Sequence, residues 1–258
     1  MLTHPTMDQL RALRLEGMIQ AWEEQRRDPQ IADLDFEQRL ALLVQRQWLW
    51  KSNRALAARL HQAQLKVPAT LEDIDYRHPR GLKRAQIEQL RVNDWIGQHR
   101  ACLITGPTGC GKTYLGCALG HQACREGHRT LYYHAPKLFR DLQLAQADGS
   151  LARRLKLWSR ITLLIIDDLG MAATGTKPYR ELLEIIDDRL GKGSVLITSQ
   201  FPVSQWHELV GDATVADALM DRLVHQAYRI ELKGESMRKA RAANDRSQGV
   251  PSDPEISA

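Results

Sequence analysis

Residues 102–116 read CLITGPTGCGKTYLG, and no other stretch of the 258-residue chain limits its possible folds so sharply. Gly106, Pro107, Thr108, Gly109, Cys110, Gly111, Lys112 and Thr113 fill every position of the pattern G-x-x-x-x-G-K-[ST]. An apolar run precedes the loop and a helical pattern follows it, which is the context the chemistry requires. Glycines permit positive φ, so successive backbone N–H groups can turn toward one anion, and a helix starting near Gly111 adds its positive end. In such a loop Lys112 reaches the β- and γ-phosphates, the Thr113 hydroxyl ligates Mg²⁺, and Tyr114 follows beside the nucleotide. A strand that feeds a helix in this way calls for a parallel sheet.

The rest of the chain agrees with that demand from Ala101 onward. The short apolar runs ACLIT, TLYYHA, ITLLIID, SVLITS and YRIEL read as strands. Between them lie helical patterns over 112–125, 136–160 (one helix or two), 178–190 and 203–224. The expected class is therefore α/β, a mostly parallel sheet flanked by helices on both faces. Upstream the pattern is all helical. Residues 6–27 read as one amphipathic helix with Thr6 as a cap, broken by Asp28-Pro29. Asp35 caps a longer helix, or helix pair, that Val67-Pro68 ends. This gives a small all-helical domain over 1–67 and a second domain over 68–246. The second begins with a linker, PATLEDIDYRHPRGL, and a further helix, KRAQIEQLRVNDWIG. The tail 247–258 has no periodicity and is expected to be disordered.

Three further elements follow the loop in sequence. The strand LLIID ends in Asp167, placed where an open α/β sheet puts its ligands and able to hold Mg²⁺ through water. Asp168 comes next, where many ATPases carry a glutamate that polarises the attacking water. Being one methylene shorter, Asp168 implies slow hydrolysis. The strand VLITSQ ends in Ser199 and Gln200, either of which could touch the γ-phosphate or orient the water. Arg222, in ALMDRLV, either pairs locally with Asp221 or Asp217 or projects into a neighbour's nucleotide site as an arginine finger.

Charge narrows the partners. The net charge of +5 mildly favours a polyanion, and its distribution says more. From Gln38 to Thr70 there is no acid, while Arg39, Arg46, Lys51, Arg54, Arg59 and Lys66 are present, with Trp48 and Trp50 between them. The two tryptophans are expected in the core. Between the second and third strands lie Lys137, Arg140, Arg153, Arg154, Lys156 and Arg160. Phosphate contacts supply sequence-independent affinity, and no base-reading motif is present, so duplex DNA would be bound with little sequence preference. No run approaches the ~18 apolar residues of a membrane span, and the amino terminus lacks the apolar centre of a secretory signal. A cytoplasmic protein with no membrane association is expected. The cysteines, Cys102, Cys110, Cys117 and Cys124, have no zinc-site spacing.

These elements, in this order behind a helical appendage, resemble the AAA+ superfamily. In particular they are similar to the branch of bacterial initiators and helicase loaders typified by DnaC, and within it to the IstB family of insertion-sequence transposition helpers. The likeness is carried by residues 36–60, by GPTGCGKT at 106–113, LLIIDDLG at 163–170, ITSQ at 197–200, DRL at 221–223 and ESMRK at 235–239. It implies an ATPase using ATP and Mg²⁺, with Lys112 and Thr113 in the P-loop, Asp167 and Asp168 as the acidic pair, and Ser199 or Gln200 as sensor. Arg222 becomes the trans-acting finger and Arg238 a candidate second sensor. It also implies homo-oligomers that form with ATP on DNA, deform the duplex and present it to a transposase. In initiator-type relatives the Arg-rich segment 137–160 lines the DNA channel. A DnaC-like helicase loader would use nearly the same chemistry, and a nucleotide-gated module would bind ATP with negligible turnover. A small-metabolite kinase is disfavoured, because neither basic segment would serve it.

Overall fold

The computed structural model describes residues 5–171 and 177–237. Arg238 and the 247–258 tail lie outside those residues. The chain divides into two compact units, one ending at His61 and the other beginning at Gln62.

In the first unit the amphipathic stretch expected as one helix over 6–27 is two, α1 (Pro5–Ala12) and α2 (Glu16–Gln25). Arg14 takes φ 58°; its N–H bonds to Arg11 O and the Leu15 N–H to Leu10 O. Those two bonds form a Schellman stop with arginine where glycine is usual, so residue type gave no sign of it. Asp35 does cap the next helix: its carboxylate accepts from the Gln38 N–H at 2.8 Å, and Gln38 Oε1 accepts from the Asp35 N–H at 3.1 Å. That helix, α3, is a single element, Phe36–Ala63. Its apolar residues are spread around the axis. Phe36, Leu40, Val44 and Trp48 form an exposed ridge at intervals of four, and Trp48 is 66% exposed, not in the core as expected. Trp50 is half-buried beneath the Arg54 guanidinium, 5.1 Å from its ring centre.

In the second unit α4 (Arg84–Arg91) and α5 (Asp94–Gly97) replace the single helix expected over KRAQIEQLRVNDWIG, because Asn93 turns the chain at φ 60°. Then follow β1 (Cys102–Thr105), α6 (Lys112–Arg125), β2 (Thr130–His134), α7 (Ala135–Ala147), α8 (Leu151–Trp158), β3 (Leu163–Leu169), α9 (Lys177–Arg189), β4 (Ser194–Ser199), α10 (Trp206–Val210), α11 (Ala213–Val224) and β5 (Tyr228–Glu231). Among the described residues the strands form one sheet in the order β2-β3-β4-β1-β5, every neighbouring pair parallel.

Alternation along the strands builds two cores. Cys102, Ile104, Ile165 and Leu196 meet Ile87, Trp95, Leu115 and Leu119 on one face. Leu103, Leu164, Ile166 and Ile197 meet Leu138, Leu182, Trp206 and Leu219 on the other. After β1 the chain crosses to β2 at the far edge, leaving room for β3 and β4 between them. The carboxyl ends of β1, β3 and β4 therefore converge where an open parallel sheet binds ligands. Helix α6 lies close over them because it carries Gly120: a Cβ there would stand 2.6 Å from Ile165 Cδ1.

Candidate nucleotide site

The loop after β1 is fixed by its neighbours as well as by its own sequence. The Gly106 N–H bonds to Ser199 O at the end of β4. Gly109 and Gly111 have φ of 86° and 94°. A Cβ on Gly109 would strike the Ser236 hydroxyl, and one on Gly111 the Arg80 guanidinium. Both positions therefore demand glycine twice over, by backbone angle and by space. Lys112 is buried, its Nζ donating to the carbonyls of Gly106 at 2.8 Å and Pro107 at 3.0 Å. Thr113, on the first turn of α6, faces the end of β3.

There the Asp167 carboxylate is fully buried and accepts from three hydroxyls: Thr113 Oγ1 at 3.0 Å, Thr198 Oγ1 at 2.6 Å and the Tyr132 phenol at 2.6 Å. Burial, reinforced by the bond to Asp167, pushes the Tyr132 phenol far above its usual pKa, so it stays a donor. Asp168 sits on a bulge. Ile166 pairs with Ile197 and Leu169 with Ser199, so Asp167 and Asp168 together oppose Thr198 alone. The extra residue takes φ 60°, a conformation aspartate tolerates better than most side chains. Its N–H donates to Thr198 Oγ1 at 2.9 Å, and its carboxylate lies 3.7 Å from His134 Nε2.

Thr198 thus holds both members of the acidic pair, a role not read from the sequence. A strand taken as regular puts the informative polar groups at its end, and the bulge moves them inward by one residue. Ser199 is fully buried and donates to Leu169 O at 2.7 Å, away from the cavity. Gln200 lines the cavity and accepts from the Thr108 hydroxyl at 2.6 Å. Replacing Thr198 by the isosteric valine removes one donor and one acceptor. The expected cost is about 1–3 kcal/mol of folding stability, read as a lower urea midpoint, with Thr198→Ser restoring it.

Thr108, Gly109, Gly111, Lys112, Thr113, Asp168, Met171 and Gln200 line a cavity of about 550 Å³, an ordinary volume for a small-molecule site. Lys66, Val67, Asp73, Asp75, Arg80, Tyr114 and Met237 close its other walls. Arg80 was not anticipated, because it lies in a stretch read as linker. Its guanidinium is buried, donating to Cys110 O at 2.9 Å and Asp75 O at 3.0 Å, and burial lowers its pKa. A magnesium nucleotide fits these residues. Gly109 and Gly111 hold the loop at positive φ, Lys112 supplies charge, and the hydroxyl and carboxylate oxygens of Thr113 and Asp167 are donors a hard cation prefers.

Arg222 is not among the cavity residues. It pairs with Asp187 on α9, not with Asp217 or Asp221, and donates to Ala218 O at 3.0 Å. Of the α3 cations, Arg39, Lys51 and Arg54 are exposed, Arg59 is half-buried, and Arg46 pairs with Glu24. On α7 and α8, Lys137, Arg140, Arg153 and Lys156 are exposed and Arg154 is half-buried. The cysteines are buried, and among the described residues no group of His, Cys, Asp and Glu has the makings of a metal centre. No helix among them is long and apolar enough to cross a membrane.

Residues 8–245 match the family described as IstB-like ATP binding protein. Over 239 residues the chain is 47% identical to a putative insertion sequence ATP-binding protein, y4pL, of Sinorhizobium fredii, covering 93% of this chain and 98% of that protein. It is 31% identical over 206 residues to the insertion sequence IS21 putative ATP-binding protein of Pseudomonas aeruginosa, with 80% and 78% covered. Among solved structures, DnaI superposes with a TM-score of 0.54 at 23% identity, over 65% of this chain and 95% of that one. The replication initiator DnaA bound to AMPPCP and single-stranded DNA superposes with 0.53 at 17% identity, over 72% and 56%. Those two likenesses concern the fold.

Proposed function

Because the chain belongs to the family of IstB-like ATP binding proteins, we propose that it is the ATP-driven helper of an insertion sequence, assembling on duplex DNA, deforming it and delivering it to a partner transposase. Its sheet order is that of AAA+ domains. The observation that carries the proposal is the separation of the two functional poles. The P-loop and Asp168 border one cavity, with Asp167 hydrogen-bonded behind Thr113, while Arg222 lies outside it on α11, where a neighbouring copy would draw it from Asp187.

Within the cavity Lys112 neutralises the β- and γ-phosphates. Thr113 and Asp167 would hold Mg²⁺, which would draw charge from the γ-phosphate. Asp168 takes the proton of the attacking water, and Gln200 orients that water. The shorter carboxylate makes hydrolysis slow, suited to timing release. Exposed cations on α7, α8 and α3 contact DNA phosphates, so affinity falls steeply between about 50 and 200 mM salt.

The test is the mass of the protein mixed with random-sequence duplex in ATP, ADP or a slowly hydrolysed analogue. A large complex of defined mass that forms with ATP or the analogue, and is absent for Lys112→Ala, is expected. A monomer indifferent to DNA and nucleotide would overturn the proposal.

A further inference from the structure

Asp167 is wholly buried, and every hydrogen bond it accepts comes from a neutral hydroxyl. A carboxylate taken out of water still calls for an opposite charge. Among the described residues the cation that reaches it is Lys66, whose Nζ stands 3.7 Å from Asp167 Oδ2. Its place is set by the backbone. Gln64 turns the chain at φ 51° just after α3, and Leu65 packs over Gly120. The Lys66 side chain borders the cavity beside Thr113 and is 47% exposed, so it is free to swing away while its backbone stays fixed.

We propose that Lys66 is the counter-cation of Asp167 in the metal-free site, and that Mg²⁺ must displace it. The inference rests on Asp167 being the metal carboxylate. An ammonium and a divalent cation drawn to one carboxylate repel each other, so only one of them is held there at a time. Lys66 therefore raises the Mg²⁺ concentration at which a nucleotide is held as its magnesium complex. It also keeps Asp167 compensated whenever the metal leaves.

Binding of a fluorescent ADP is titrated with Mg²⁺ for wild type, Lys66→Met and Lys66→Arg, and each protein is melted in EDTA and in Mg²⁺. Lys66→Met is expected to lower the Mg²⁺ midpoint roughly twofold to fivefold, the scale of a half-exposed ion pair. Lys66→Arg should stay near wild type. The methionine variant should also melt below wild type in EDTA, and not below it in Mg²⁺. An unchanged midpoint overturns the proposal. So does weaker ADP binding by Lys66→Met in EDTA, which would make Lys66 a phosphate ligand. Thr113→Ala serves as the control: a raised midpoint there keeps the metal assignment standing even if Lys66 fails. A wild type with no Mg²⁺ response overturns both.

Discussion

Asp167→Asn is expected to retain the fold and lose magnesium-dependent hydrolysis by at least about 100-fold, the scale set by the several kcal/mol a metal ion contributes to a phosphoryl transition state. The fold survives because the three groups that donate to Asp167 are hydroxyls. Thr113, Thr198 and Tyr132 can each rotate to accept from an amide as readily as they donate to a carboxylate. A stability loss of about 1–3 kcal/mol covers the imperfect exchange of partners. The charge has no such substitute. Without the carboxylate, Thr113 offers a neutral oxygen only, and Mg²⁺ loses its one anionic ligand from the protein side. Nucleotide binding should persist in EDTA, where Lys112 and the loop N–H groups do the holding, but its strengthening by Mg²⁺ should vanish. Isothermal titration with ADP, with and without Mg²⁺, separates these effects. A variant that still tightens on ADP when Mg²⁺ is added would remove Asp167 from the metal site.

The elements on which this depends were unequally legible in the sequence. The P-loop was read residue by residue, because its chemistry needs fixed residue types at fixed spacing between a strand and a helix. The strands after it were read because buried parallel strands are short apolar runs. What escaped is whatever a backbone irregularity or a distant contact decides. Arg14 and Asn93 end helices in the left-handed conformation that glycine usually signals, so both stretches looked continuous. The bulge at Asp167–Asp168 shifts β3 by one residue against β4, so that Thr198, a residue the sequence did not single out, holds both carboxylate residues. Arg80 and Lys66 reach the cavity across intervals of 30 and 101 residues, to Cys110 and Asp167 respectively. No local pattern encodes such a meeting. Trp48 failed for the opposite reason: aromatic residues at helical spacing usually mark a core, yet α3 leaves this one exposed.

Arg222→Ala is expected to lower DNA-stimulated ATP hydrolysis by about 10³-fold, the lower end of what an arginine finger supplies, while leaving nucleotide binding to the isolated chain intact. The pairing of Arg222 with Asp187 offers a sharp control, because it sets a local role against a role in trans. Should the arginine serve only to fasten α11 to α9, then Asp187→Ala and Arg222→Ala break the same pair and must behave alike. Each would cost no more than about 1 kcal/mol of stability, since the pair is partly exposed. Should it serve a neighbouring subunit, Asp187→Ala only releases it, and hydrolysis holds or rises. Mixing decides the matter further. Asp168→Ala lacks its own base for the attacking water but keeps Arg222 and the loop that binds ATP, and Arg222→Ala keeps Asp168. Co-assembled on DNA, some interfaces pair an intact Asp168 with an intact arginine, so the mixture of two inactive proteins should regain activity. A chain carrying both substitutions should give no such recovery with either one. Parallel losses in Asp187→Ala and Arg222→Ala, with no recovery on mixing, would confine Arg222 to its own subunit and leave the interface to be sought elsewhere.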